Sequence, residues 1–161
     1  MKKWWIVIGV VLMLLAAGCG GRGESGGLKS PNGGPVTFKP ESLACPQCRM
    51  PLKGLKDSAQ YVAENGDVTV FDDPGCMVLW LQDHGIDADG AKIYVYTRDT
   101  KRWIDAKKAY YSQTDATPMG YGFGAYEKRA KDRIGFDEMR LRVLRGLTLK
   151  DPKIRKKLLG Y

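Results

Sequence analysis

From residue 36 onward, apolar positions recur with a period of two, then with a helical period, and then repeat that order. Ala59 to Glu64 reads as a strand, Asn65-Gly66 as a hairpin turn, and Val68 to Phe71 as the returning strand. Asp72-Asp73-Pro74 supplies a cap and a first-turn proline, so Cys76 to Leu81 reads as a short, mostly buried helix ending near His84-Gly85. Lys92 to Thr97 alternates again, Asp99-Thr100-Lys101 turns the chain, and Trp103 to Asp105 returns. Ala106 to Tyr110 is a short helical or irregular piece, and Tyr110 to Gln113 a further strand. Phe123 to Lys131 reads as a helix after a glycine-rich loop. Phe136, Met139, Leu141, Val143, Leu144 and Leu147 follow near helical period, and Asp151 to Leu159 closes as a short amphipathic helix. Hairpin followed by helix, twice over, predicts an α+β fold. It would be one compact domain of duplicated ββαβ units, roughly 36–90 and 91–161.

The pattern before residue 36 differs in kind. Lys2 and Lys3 precede an almost unbroken apolar run, Trp4 to Ala17, and Ala16-Ala17-Gly18-Cys19 follows as a small-residue site ending in cysteine. This is the pattern of a secretory signal, too short for a stable transmembrane helix. Its end resembles a bacterial lipobox, although Ala16 stands where that box usually has leucine and Leu15 lies one place earlier. The expectation is a lipoprotein signal peptide over 1–18 and lipidation of Cys19, which anchors the chain to a bacterial membrane with its domain facing the periplasm or the cell exterior. Gly20 to Pro35, rich in Gly, Ser and Pro, reads as a flexible tether, so the regions are 1–18, 19–35 and the domain 36–161.

Without Lys2 and Lys3 the chain keeps 24 basic against 18 acidic residues, a net charge of +6. Much of it lies at Lys150, Lys153, Arg155, Lys156 and Lys157, a basic tail that suits either an acidic surface or plain solvation. Basic residues do not interleave with aromatics as in nucleic-acid motifs, so no nucleic acid is expected as a partner.

Setting Cys19 aside, Cys45, Cys48 and Cys76 remain of the 4 cysteines. An odd number in an exported domain points to a free thiol or a metal ligand, and a Cys45–Cys48 disulfide is the rival. Cys48 and Met50 are two apart in Cys45-Pro-Gln-Cys48-Arg49-Met50-Pro51, a spacing that puts both on one face of extended chain. Met119, between Pro118 and Gly120, fits a loop better than a core slot. Thiolate with thioether is a soft donor set that selects Cu(I) over hard cations. One thiolate neutralises the single charge, and thioethers add donor density without a proton to lose. Cys76 reads instead as a buried, inert thiol of the helix, and Met77 and Met139 as core. A zinc site takes four ligands, commonly in two close pairs; this chain has one Cys-x-x-Cys, and Cys76 and His84 sit in settings that argue against completing a set. His84 has no nucleophile beside it, and Gly120, Gly122 and Gly124 lack the strand and lysine of a phosphate loop, so no enzyme activity is expected.

Several motifs in order resemble the NosL family, the accessory lipoproteins of nitrous-oxide reductase. They are the cysteine at the lipobox position, Cys45-x-x-Cys48-x-Met50, Phe71-Asp72-Asp73-x-x-Cys76-Met77, Trp103-Ile104-Asp105-Ala106 and Thr117-Pro118-Met119-Gly120-Tyr121-Gly122. The resemblance covers most of the domain. It implies a pair of ββαβ units and an extracytoplasmic Cu(I) chaperone, or metallochaperone. Such a protein serves nitrous-oxide reductase, or its ABC-type maturation complex, for the enzyme's copper–sulfide centre. It implies copper on Cys48 and Met50 with Met119 as third ligand, and it leaves Cys45 open. Arg49 stands where the family commonly has glycine. Two other classes remain: a thiol–disulfide reductant using Cys45 and Cys48, which lacks a helix beginning at that pair, and a copper sink with no recipient.

Overall fold

The computed structural model describes residues 27–161. The signal-peptide and Cys19 expectations lie outside the described residues. Among these, four strands form one antiparallel sheet in the order β2-β1-β3-β4: β1 (Ala59–Val62), β2 (Val68–Phe71), β3 (Lys92–Tyr96) and β4 (Trp103–Asp105). Asn65-Gly66 makes the β1–β2 turn as its sequence requires, with Gly66 at φ +81° and the Ala63 amide bonded to the Asp67 carbonyl at 2.8 Å. Ala59 sits opposite Phe71 on one side and Val95 on the other. β1 therefore carries pairing on both edges, which is why it is nearly all buried.

Helix α1 (Pro74–Asp83) begins as predicted. The Asp73 side chain accepts from the Gly75 amide, and Pro74 occupies the first turn. Val78, Leu81, Met77 and Cys76 are buried, and Trp80 packs on Phe71 and Tyr61 at centroid distances of 5.5 and 5.7 Å. His84 caps the end, its ring stacked on Trp80 and Nδ1 2.8 Å from the Trp80 carbonyl.

After β4 come a 3₁₀ turn (Ala106–Lys108), the strand pair β5 (Tyr110–Tyr111) and β6 (Ala125–Tyr126), α2 (Phe136–Leu144) and α3 (Pro152–Leu159). The order hairpin, helix, strand is present as β1-β2-α1-β3; a second such run, β3-β4-3₁₀-β5, reuses β3, and β1 to β4 share one sheet. The molecule is a compact α+β domain. Its large core side chains include Leu52, Phe71, Met77, Leu81, Ile93, Tyr111, Phe123 and Met139. The buried hydrophobic side chains among the described residues, Leu149 apart, form one cluster running from Phe38 to Val143, which residues 27–161 hold whole.

Two expectations need correction. Phe123 to Lys131 is not a helix. The Gly124 carbonyl accepts from Ser112 N–H at 3.0 Å and the Ala125 carbonyl from Arg98 N–H at 2.8 Å, so tertiary pairing takes the carbonyls a helix would use. A Cβ on Gly124 would lie 2.1 Å from Asp115 Oδ2, so this backbone is pressed onto a neighbour in a way only glycine allows. Nor does a tether reach Pro35. Val68 N–H donates to the Leu28 carbonyl at 3.1 Å, Ser30 N–H to the Gly66 carbonyl at 2.8 Å, and Tyr94 O–H to the Gly33 carbonyl at 2.9 Å. Val36 is clamped in both directions by the buried amide of Gln60.

Candidate metal centre

Pairing across a small hairpin builds the first part of the site. Cys45 N–H donates to the Met50 carbonyl at 2.9 Å and Leu52 N–H to the Leu43 carbonyl at 3.0 Å. Inside it the Arg49 amide bonds back to the Cys45 carbonyl at 2.7 Å. The chain closes this turn through Arg49 at φ +62°, so Cys48 and Met50 are not neighbours on an extended strand as their spacing alone predicts. The glycine expected at position 49 from the family resemblance answers this φ. Arg49 is exposed and its side chain makes no hydrogen bond among the described residues, so Arg49→Gly removes strain and little else. Left-handed backbone costs a side-chain-bearing residue about 1–2 kcal/mol, and glycine's greater unfolded entropy takes back part of that. The expected result is a gain of roughly 0.5–1 kcal/mol in urea denaturation; a loss of similar size would show the turn unstrained.

The second part comes from the β2–α1 junction. Asp72 follows the last residue of β2, Asp73 caps the helix, and Cys76 occupies the first helical turn, four residues beyond Asp72. The two parts meet. The Sγ atoms of Cys45, Cys48 and Cys76 and a carboxylate oxygen of Asp72 all lie within 4.8 Å of one another. All three thiols are free. Cys45 and Cys76 are fully buried, and Cys48 is half-buried at the opening. The Cys48 thiol donates to Asp72, 3.3 Å from either oxygen.

These contacts divide the protons unequally. The hydrogen bond from Cys76 holds the Cys45 thiol below its usual range, and burial opposes this only in part. That same bond, with burial, pushes Cys76 up. The pair therefore gives up a first proton readily and a second with difficulty. Burial pushes Cys48 up to about 12, and the negative charge near it at Cys45 and Asp72 adds to the shift. At neutral pH Cys48 carries its proton.

The loop bearing Met119 is fixed from two sides. Asp73, raised to about 6 by burial, accepts from the Met119 amide at 3.1 Å as well as capping α1. Further back, Arg98 forks onto Asp57 at 2.6 and 2.8 Å, reaches Asp115 at 3.0 Å and donates to the Ala116 carbonyl at 2.7 Å. Tyr121, just past Met119, lies against Gly75, where a Cβ would fall 2.4 Å from its ring. Met119 is thus a half-buried residue of a braced loop packed against the core. Met50 is 48% exposed. A cleft of about 150 Å³ runs between these pieces, lined by Met50, Pro51, Lys53, Lys56, Asp72 and Pro118.

Of the sequence-derived candidates, Cys48 and Cys45 lie within the cluster, Met50 lines the cleft that opens on Asp72, and Met119 follows Pro118 of that cleft. Two members went unrecognised. Cys76, read as an inert core thiol, is buried but faces the other sulfurs. Asp72, read only as part of a helix cap, supplies the carboxylate. The spacing Asp72-x-x-x-Cys76 across a helix start was the available signal, since it brings both to one end of α1.

No family model matches the chain, and no curated protein matches it by sequence. Among solved structures, the crystal structure of the copper chaperone NosL from Shewanella denitrificans aligns with 67% of this chain and 87% of its own, at a TM-score of 0.51 and 14% identity. The two chains share a fold. At that identity the likeness concerns the fold alone. This chain's own contribution is a cluster of three thiols and one carboxylate with a donor set able to hold a metal ion.

Proposed function

We propose that this protein is a Cu(I) chaperone, anchored outside the cytoplasmic membrane through Cys19, that hands copper to nitrous-oxide reductase or to the ABC-type complex that matures it. The observation that carries the copper reading is the convergence of three thiols on Asp72, a residue that also lines the cleft where the thioether of Met50 is exposed. In this reading Cys48 and Met50 take the ion, Met119 closes over it as third ligand, and Cys45 offers a second sulfur from beneath. A half-buried Cys48 suits a carrier: its ligand is reachable by a partner, and the fully buried thiols are not. The fold shared with a copper chaperone supports a binding protein over an enzyme. So does the Cys45–Cys48 pair, since Cys45 is buried and no helix begins after Cys48. The recipient and the address rest on the motif resemblance and on the N-terminal pattern.

Anaerobic titration of residues 27–161 tests the metal. The expected result is one Cu(I) per chain, held against a competing Cu(I) chelator and not displaced by Zn²⁺. Three thiols and a carboxylate are also a set that zinc accepts, so tight zinc without copper preference would overturn the reading. The pH dependence has a definite sign. Copper must displace the Cys48 proton, and protons compete less as pH rises. Affinity should therefore climb about tenfold per pH unit across neutrality, with close to one proton released per copper. A flat profile would remove Cys48 from the site.

The address has its own test. Cys19→Ala is expected to leave the precursor unlipidated and displaced from membranes, while the domain still folds. Membrane fractionation identical to that of the unaltered chain would contradict the anchor.

A further inference from the structure

The last seventeen residues carry a charge that the rest of the domain does not share. Arg145 to Tyr161 holds six basic residues and one acidic one, a net +5, against 17 basic and 16 acidic over residues 27–144. The single acid, Asp151, is occupied as the cap of α3, accepting from the Lys153 and Ile154 amides. Among the described residues, no ion pair engages Arg145, Lys150, Lys153, Arg155, Lys156 or Lys157; the salt bridges of this region belong to Arg140 and Arg142, one step earlier. Helical spacing sets Lys153, Lys156 and Lys157 in one stripe, with Ile154 and Leu158 in the stripe beside it. α3 buries no residue of its own. Leu147, Leu158 and Tyr161 are exposed between the cations, Tyr161 at 80%.

We propose that this segment, Arg145 to Tyr161, is a docking surface for an anionic phospholipid membrane. Unpaired cations that surround exposed leucines and a terminal tyrosine match the layering of a bilayer surface. Phosphate groups meet the ammonium and guanidinium groups, and the apolar side chains enter the boundary beneath. Tyrosine is suited to the headgroup level. An acidic protein surface would use the cations and leave the leucines wet. The segment is also fastened to the metal centre. Leu149 is buried and its amide donates to the Tyr121 carbonyl at 3.2 Å, while Lys150 Nζ lies 5.0 Å from the centroid of the Tyr121 ring that packs on Gly75. A membrane contact here would hold the thiol cluster at a set height and orientation above the lipid. This surface is independent of any acyl anchor and of the bound metal, so its failure and that of the copper reading are separable.

Residues 27–161, which lack Cys19 and hold the whole described core cluster, are the material for the test. They are sedimented with vesicles of phosphatidylcholine alone or mixed with phosphatidylglycerol. The expected result is binding to the mixed vesicles only, lost when salt is raised from about 0.1 M to about 1 M. Each lysine near such a surface contributes on the order of fivefold to partitioning. Lys153→Gln, Lys156→Gln and Lys157→Gln together should lower it roughly a hundredfold, and Leu158→Ser with Tyr161→Ser should lower it further. Because α3 buries nothing, near-UV circular dichroism of these variants should match the unaltered domain. Lys128→Gln, Arg129→Gln and Lys131→Gln, equal in charge but elsewhere, should leave binding nearly unchanged. Absence of binding to the mixed vesicles, or an equal loss from the two triple variants, would overturn the proposal.

Discussion

Cys48→Ser is expected to abolish Cu(I) binding while leaving the domain folded. Cys48 is the half-exposed sulfur at the opening of the cluster and the one whose proton rests on Asp72. Serine keeps a donor for Asp72, so the buried carboxylate is not orphaned and folding should be nearly unaffected. It offers copper only a hard oxygen that does not ionise at neutral pH. Met50→Leu and Met119→Leu delete sulfur at nearly constant volume. Each should weaken binding without abolishing it and change stability by less than about 1.5 kcal/mol. Cys45→Ser should matter less than Cys48→Ser. Cys76→Ala is informative because it removes the thiol whose hydrogen bonding holds Cys45 low: Cys45 is then expected to titrate higher, and copper affinity to fall moderately at neutral pH and recover as pH rises. Chelator-competition titrations of folded variants decide the order. Equal and complete loss in Cys45→Ser and Cys48→Ser, with both methionine variants unchanged, would replace the mixed site by a two-thiolate site.

Arg98→Met is expected to be strongly destabilising. The Arg98 side chain is 12% exposed, and it faces the side chains of Asp57, 4% exposed, and Asp115, 19% exposed. Methionine fills the space and leaves two carboxylates facing each other without a cation. Breaking a buried pair in this way costs about 3–5 kcal/mol, a fall in Tm of roughly 10–20 °C for a domain of this size. Arg98→Lys should recover only part of it, since an ammonium cannot make the fork to Asp57. Copper affinity should fall too, because Arg98 holds the Ala116 carbonyl and so the loop that leads to Met119. Adding Asp57→Asn and Asp115→Asn to Arg98→Met should restore much of the stability and little of the affinity. A loss under about 1 kcal/mol for Arg98→Met would show the pair well solvated and the loop held by other contacts.

Much of the fold was already legible in local sequence. The alternation over Ala59 to Phe71 and Lys92 to Asp105, the Asn65-Gly66 turn and the Asp73-Pro74 start of α1 each act within a few residues, where side-chain period and backbone preference decide the outcome. The soft character of the donor set was legible too, because sulfur chemistry travels with the residue type. Tertiary structure alone decided three things. It turned Phe123 to Lys131 away from helix, because Arg98 and Ser112 claimed carbonyls from far along the chain. It bent Cys45 to Met50 into a turn through a left-handed Arg49, which replaced the one-face arrangement of extended chain. And it made Cys76 part of the site. From sequence, a cysteine in an apolar helical run is indistinguishable from a core filler; burial is common to both. Only the packing of the Cys45–Met50 hairpin over the first turn of α1 brings the three sulfurs and the Asp72 carboxylate together. That contact joins segments some 30 residues apart, a distance at which no local period carries information.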